Sequence, residues 1–293
     1  MSKSFHVPQV STGQAYAMLG GAALMMTLAM GIRQNLGLFQ APASKELGIA
    51  ISDFALAISV QQVAWGVSQP IAGIFADKHG TRWVAMIGSA LFILGIWLTA
   101  TAQGVLPIIL GAGVLIGVAL ACTTSGITAN IAARDVEPGR RTLAFGIVSA
   151  AGSVGTMVTA PIAAYLLNSD GWRAAIWAFV ILALAMLPAA WIGSRADKLP
   201  NTLSTDRNLT LMGALGEARR HTGYVVMALA FFVCGLQLVF ITTHLPTYLA
   251  QCGMDPSYSA VALMLIAPWE RLALALSTSS ASWICTAAEE MRA

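Results

Sequence analysis

The sequence predicts an all-α membrane protein, and three observations carry that prediction. The 293-residue chain is 57% hydrophobic and 10% charged, whereas a soluble domain carries about a quarter charged residues. Uncharged stretches long enough to cross a hydrocarbon core recur along its length. The segments between them alternate between rich and poor in lysine and arginine. A helix rises about 1.5 Å per residue, so roughly 20 apolar residues cross a core of about 30 Å. Inside lipid every backbone N–H and C=O needs a partner within the segment, which favours helices. A transmembrane β-barrel would show strands of roughly ten residues with alternating polarity. These stretches are longer and continuously apolar.

The first span lies near residues 15–40. Its length predicts a retained span, not a cleaved leader. Residues 54–76 carry no charge and form the second span. Residues 83–133 are an uncharged run of 51 residues. Gln103, Gly104 and Pro107 break it into spans near 83–101 and 107–130. Spans five, six and seven fall near 143–166, 174–193 and 222–244, and a weaker eighth begins near 257. Cys122, Cys234, Cys252 and Cys285 form no close-set framework and read as packing residues.

One set of loops holds Lys3, Lys78, Arg82, Arg134, Arg140, Arg141, Arg195, Lys198, Arg207, Arg219 and Arg220. The alternate set holds only Lys45 and Arg173. Basic short loops stay cytoplasmic, which places the N terminus inside. Topology thus accounts for the basic residues, and the net charge of +3 does not imply nucleic acid. The longest connection, residues 194–221, is polar and mixed in charge. It divides a six-helix N-terminal bundle, residues 1–193, from a partial second bundle, residues 222–293. No residue-level repeat links the two.

The stretch GIFADKHGTR, Gly73 to Arg82, sits in the turn between spans two and three. Gly73 would let another helix approach closely. Gly80 permits a sharp turn with positive φ. Asp77 can accept hydrogen bonds from backbone or a helix N-terminus. Lys78 and Arg82 hold the turn on the cytoplasmic face. Gly73, Asp77, Lys78, Gly80 and Arg82 in this spacing resemble the signature of the major facilitator superfamily. That resemblance implies a gating loop that latches the two halves and steadies the outward-facing state. It covers roughly residues 15–266. Further strings, GIRQNLGLF at 31–39, Gly171-Trp172-Arg173 and FITTHLPTYLAQCGM at 240–254, resemble the bacterial monocarboxylate and oxalate–formate branch. The implied setting is a bacterial inner membrane, crossed many times.

Arg33 lies deep in the first apolar run, beside Gln34. An arginine at bilayer depth costs at least ~2.5–3.5 kcal/mol on insertion scales. It needs a wet cavity, a partner or a route to the interface. Its planar fork of donors matches a carboxylate, so a small organic anion is the natural ligand. Gln62, Trp65 and Gln69 share a face of span two; Thr123, Gly126 and Asn130 share one on span four. Gln237, Ile241 and His244 share one on span seven. Such polar groups line a cavity or bond helices together, and His244 could carry a coupled proton. The substrate-binding set is therefore Arg33, Gln34, Gln62, Asn130, Gln237 and His244. Met25, Met26 and Met30 read as lipid-facing or packing residues; Trp65, Trp97, Trp177 and Trp191 read as packing or interfacial anchors.

No nucleotide loop, metal-spaced His/Cys cluster or nucleophile–base pair stands out, so neither cofactor nor metal nor enzymatic role is expected. The expected function is a secondary permease. It moves a small organic anion such as a monocarboxylate by alternating access, with a proton or counter-anion as coupling partner. Alternatives are a permease for sugar phosphates or aromatic acids, and a non-transporting membrane sensor or assembly partner. From about residue 267 the pattern departs from the expected one. Glu270 and Arg271 enter an apolar run, and a Ser/Thr-rich stretch follows. The sequence thus predicts about eight transmembrane helices, an incomplete second half, and a chain shortened by a frameshift and inactive alone.

Overall fold

The computed structural model describes residues 12–124, 128, 141–193, 213, 216, 219–255 and 257–266. Among these, every regular element is helical. Helix α1, Thr12–Gln34, runs through a 3₁₀ turn, Asn35–Phe39, into α2, Gln40–Leu47. The rod stops at Gly48, whose φ of 65° is left-handed. The following Ile49 amide closes the end on the Ser44 carbonyl at 3.1 Å, which is how glycine-ended helices satisfy their last carbonyls. Helix α3, Ile51–His79, begins where the Ala50 amide donates to Asp53 Oδ2 at 3.1 Å. At 29 residues it is roughly 43 Å long at about 1.5 Å per residue.

A tight turn at Gly80 leads into α4, Thr81–Ala100. Beyond Gly104 the chain returns as α5, Val105–Ile108, a π segment, Ile109–Leu115, and α6, Ile116–Thr123. Helix α7, Arg141–Leu184, contains two passes joined at Gly171, where φ is 84°. It continues into α8, Met186–Gly193. Helix α9, Thr222–Gln251, and the short apolar α10, Ser257–Ile266, complete the described chain.

Spans one to three and five to seven therefore appear in order, span four is described to Thr124, and the eighth is represented only by the short α10. Among the described residues, five segments are long and apolar enough to cross a membrane. One of them, Gly146–Gly193, folds back on itself at Gly171 and supplies spans five and six. Helix α3 is long enough but less apolar, because Gln61, Gln62 and Gln69 dilute its middle. The first rod extends beyond residue 40, to Leu47.

The bundle closes where small residues let backbones approach. A Cβ on Gly31 would lie 2.8 Å from the Gly155 backbone, one on Gly111 2.7 Å from the Gly95 carbonyl, and one on Gly117 2.7 Å from the Gln61 carbonyl. Polar side chains bond these crossings. Thr27 Oγ1 donates to the Ala151 carbonyl at 2.9 Å. Asn35 Nδ2 donates to Thr159 Oγ1 at 2.7 Å, and Gln61 Nε2 to the Ala112 carbonyl at 2.6 Å. Phe39 meets Phe179 edge-on at 5.7 Å. Met25, Met26 and Met30 are buried, so they pack the core and do not face lipid.

Helix α9 is the exception. Only 6% of its most apolar window is buried. Its buried residues, Thr242, Thr243, Pro246 and Thr247, all lie in its second half. That half touches the 3₁₀ turn and α2.

A Cβ on Gly155 would strike the Thr27 carbonyl, whereas one on Gly146 meets open space. Overpacking of this kind costs about 1–3 kcal/mol. Gly155→Ala should therefore lower the melting temperature in detergent by several degrees, and Gly146→Ala should leave it unchanged. A fluorescence-detected thermal melt of both variants checks this.

Candidate functional site: a cavity beside Arg33

A cavity of about 790 Å³ opens between α1, α3, α7 and α9. Arg33 and Gln34 reach it from the end of α1, and Ser59, Gln62 and Trp65 from α3. Ser153 and Thr156 come from α7, and a run from Phe231 to His244 from α9. The Arg33 side chain is 9% exposed. Its guanidinium carbon sits 4.9 Å from the Trp65 ring centroid, and Nη1 reaches Gln34 Oε1 at 3.3 Å. A cation over an indole face gains electrostatic stabilisation that grows as water is excluded. The Trp65 indole Nε1 is buried and has no hydrogen-bond partner among the described residues. His244 packs against Phe240 with ring centroids 4.9 Å apart.

The cavity is closed at one end. A Cβ on Gly37 would lie 2.5 Å from the Thr242 carbonyl, and Thr247 Oγ1 donates to Gln40 Oε1 at 2.9 Å. Gln40 Nε2 in turn donates to the Ile51 carbonyl at 3.0 Å. Towards the opposite end, where α3 turns into α4, the first half of α9 is exposed and stands off from the bundle.

Of the residues expected to bind substrate, the structure brings together Arg33, Gln34, Gln62 and His244. Gln237 is exposed and does not line the cavity. The reason is helical register: the lining stripe of α9 centres on Phe232, Gly235, Val239 and Thr243, and Gln237 falls away from it. Asn130 lies outside the described residues, as does Gly126. Gln69 is exposed away from the cavity, and Thr123 bonds back to the Ala119 carbonyl at 2.8 Å. Trp65 is a cavity residue rather than a mere packing anchor. Sequence reasoning also missed Phe240 and Phe232, because it considered only the polar groups of span seven, of which His244 lines the cavity and Gln237 does not.

At the α3–α4 turn, Gly80 has φ 89° and its amide donates to the Ala76 carbonyl at 3.0 Å. Asp77 and Lys78 are exposed, and the Arg82 guanidinium lies 3.6 Å from the Trp191 ring centroid of α8. Gly73 differs from expectation: no helix among the described residues approaches it, and a Cβ there meets open space.

A polar staple fastens the closed end. Trp172 Nε1 donates to Glu46 Oε2 at 2.5 Å, and Arg173 Nε to Glu46 Oε1 at 2.6 Å. The two remaining guanidinium nitrogens donate to the Ala100 and Ala102 carbonyls at 2.8 and 2.9 Å. Gly171 makes this possible, because its positive φ turns the chain so that both neighbours face α2 and the end of α4.

Long apolar helices packed into one bundle define a multi-pass membrane protein, here with a buried arginine on a cavity. Residues 10–285 match the Major Facilitator Superfamily, and the chain belongs to that family. The match runs past residue 267, into the segment where the sequence pattern departs. Among curated relatives, the chain is 25% identical to monocarboxylate transporter 11 of Mus musculus, over 87% of this chain and 56% of that protein. It is 25% identical to monocarboxylate transporter 13 of Bos taurus, over 87% of this chain and 58% of that one. A transporter of the same superfamily from Escherichia coli, YhjX, is 28% identical over 33% of this chain. The chain thus spans about half the length of the curated relatives it matches. A solved POT family transporter in complex with 5-aminolevulinic acid shares the fold, with a TM-score of 0.55 at 18% identity over 81% of this chain and 49% of that one.

The staple yields a test. Arg173 serves a carboxylate and two carbonyls, so Arg173→Lys keeps the charge but cannot reproduce the fork. Thermal melts should show Arg173→Ala and Arg173→Lys destabilised alike, each by ~1–3 kcal/mol. A lysine variant as stable as the parent would reduce the staple to a simple charge pair.

Proposed function

We propose that this chain serves a permease that moves a small organic anion, such as a monocarboxylate, by alternating access. The observation that carries the reading is Arg33, buried on the wall of a 790 Å³ cavity. A guanidinium at that depth is costly in lipid, and a carboxylate both neutralises it and matches its fork. The similarity to monocarboxylate transporters 11 and 13 supports that ligand class. Gln34, Gln62 and His244 complete the polar rim of the substrate site, with His244 or a counter-anion as the means of coupling.

The basic loops support a plasma-membrane chain with its N terminus and the Gly73–Arg82 turn in the cytoplasm. In that orientation the end closed by Gly37, Thr242 and Gln40 is the outer one, and the cavity faces inward. Residues 1–193 and the segment from 222 onward then move against each other across the 194–221 linker. Gly80 and Arg82 hold the turn in shape, while Gly73, Asp77 and Lys78 present an uncovered surface for the latch.

Binding tests the ligand class. Purified chain in nanodiscs should bind radiolabelled L-lactate in equilibrium dialysis, and Arg33→Gln should weaken that binding by about a hundredfold, the loss expected for a buried charged hydrogen bond. Equal binding by parent and variant would overturn the assignment.

A further inference from the structure

The α9 wall of the cavity is unlike a site for a compact polar ion. Phe232, Leu236, Val239 and Phe240 follow helical spacing along the lining stripe, facing the chamber that holds Arg33. Arg33 requires that chamber to be wet when empty. Aromatic rings that line a wet chamber are costly, and an apolar ligand body that covers them recovers that cost. Met30 and Ile58 continue the apolar surface on the opposing helices. Among the described lining residues, Arg33 carries the only fixed charge, and His244 is the only other ionisable group. A dianion such as a sugar phosphate or oxalate would leave one charge without a fixed counterion.

We infer that the cavity selects monoanionic carboxylates bearing a flat apolar body. Arg33 reads the carboxylate, and Phe240, with Phe232, reads the body. The inference rests on the anion-permease reading and narrows it. It makes Phe240, one turn from His244 on span seven, a specificity-determining residue.

Phenylacetate, acetate and phenyl phosphate serve as probes, with isothermal titration of the 293-residue chain in nanodiscs. Phenylacetate should bind at least about tenfold tighter than acetate, the order expected for covering one ring. Phenyl phosphate at neutral pH should bind more weakly than phenylacetate. Phe240→Ala should lower phenylacetate affinity about tenfold, and Phe240→Leu by less, since it retains apolar area. Leu94→Ala, on the outer face of α4, should change nothing. Thermal melts confirm that each variant is folded. Equal affinity for acetate and phenylacetate, or an unchanged phenylacetate affinity in a folded Phe240→Ala variant, would overturn the inference and leave the anion reading standing. No binding of either carboxylate by the parent chain would overturn both.

Discussion

A guanidinium buried within an apolar helix long enough to cross a membrane is the constraint on which the rest of this structure depends. Arg33 is always charged and costs at least ~2.5–3.5 kcal/mol at bilayer depth. The fold answers with a chamber instead of burying the group in a dry core. Trp65 offers its indole face at 4.9 Å, and Gln34 offers an acceptor. For Arg33 to face the chamber, α1 must be held in one rotation about its axis. Gly31 against Gly155, Asn35 against Thr159 and Phe39 against Phe179 supply that rotation. The helix that carries the charge and the turn that follows it are thus fixed by close contacts to α7.

Polar residues in this bundle divide into two roles, and adjacent positions can fall on opposite sides of the division. Gln61 bonds the Ala112 carbonyl and ties α3 to the π segment, while Gln62 faces the chamber. Asn35 joins α1 to α7, while Gln34 lines the cavity. The two ends of the bundle differ as well. One is fastened by Glu46, Trp172 and Arg173 and by the Gln40–Thr247 bond. At the other, α9 stands away and the turn carrying Asp77 and Lys78 is uncovered. A chamber closed at one end and open towards the other would suit the alternating mechanism proposed above.

The order of spans was legible because hydrocarbon thickness imposes a length on apolar runs, and uncharged runs are visible in a sequence. The turn at Gly80 was legible because a positive φ favours glycine. The extension of the first rod to Leu47 was hidden, since Lys45 and Glu46 read as a loop although Gly48 caps a continuing helix. The π segment at Ile109–Leu115 leaves no local signal, although its Gly111 and Gly113 lie against the Gly95 and Ala57 carbonyls. For the site, depth alone singled out Arg33. On α9 polarity picked out His244 but not the apolar lining, Phe232, Val239 and Phe240, and it also picked out Gln237, which does not line the cavity. Polarity in a membrane helix points to any partner, including lipid headgroups and solvent, and Gln237 at an exposed position shows the consequence.

The most direct measurement asks whether the chamber is wet and positive. In a chain with its native cysteines replaced, Ser59→Cys on the cavity wall would be labelled with a small anionic methanethiosulfonate and with its cationic counterpart. A guanidinium focusing its field in a low-dielectric chamber attracts anions and repels cations. The anionic reagent should react several-fold faster than the cationic one, and Arg33→Gln should abolish or reverse that preference. Faster reaction with the cationic reagent, or no reaction with either, would contradict a water-filled anion chamber built around Arg33.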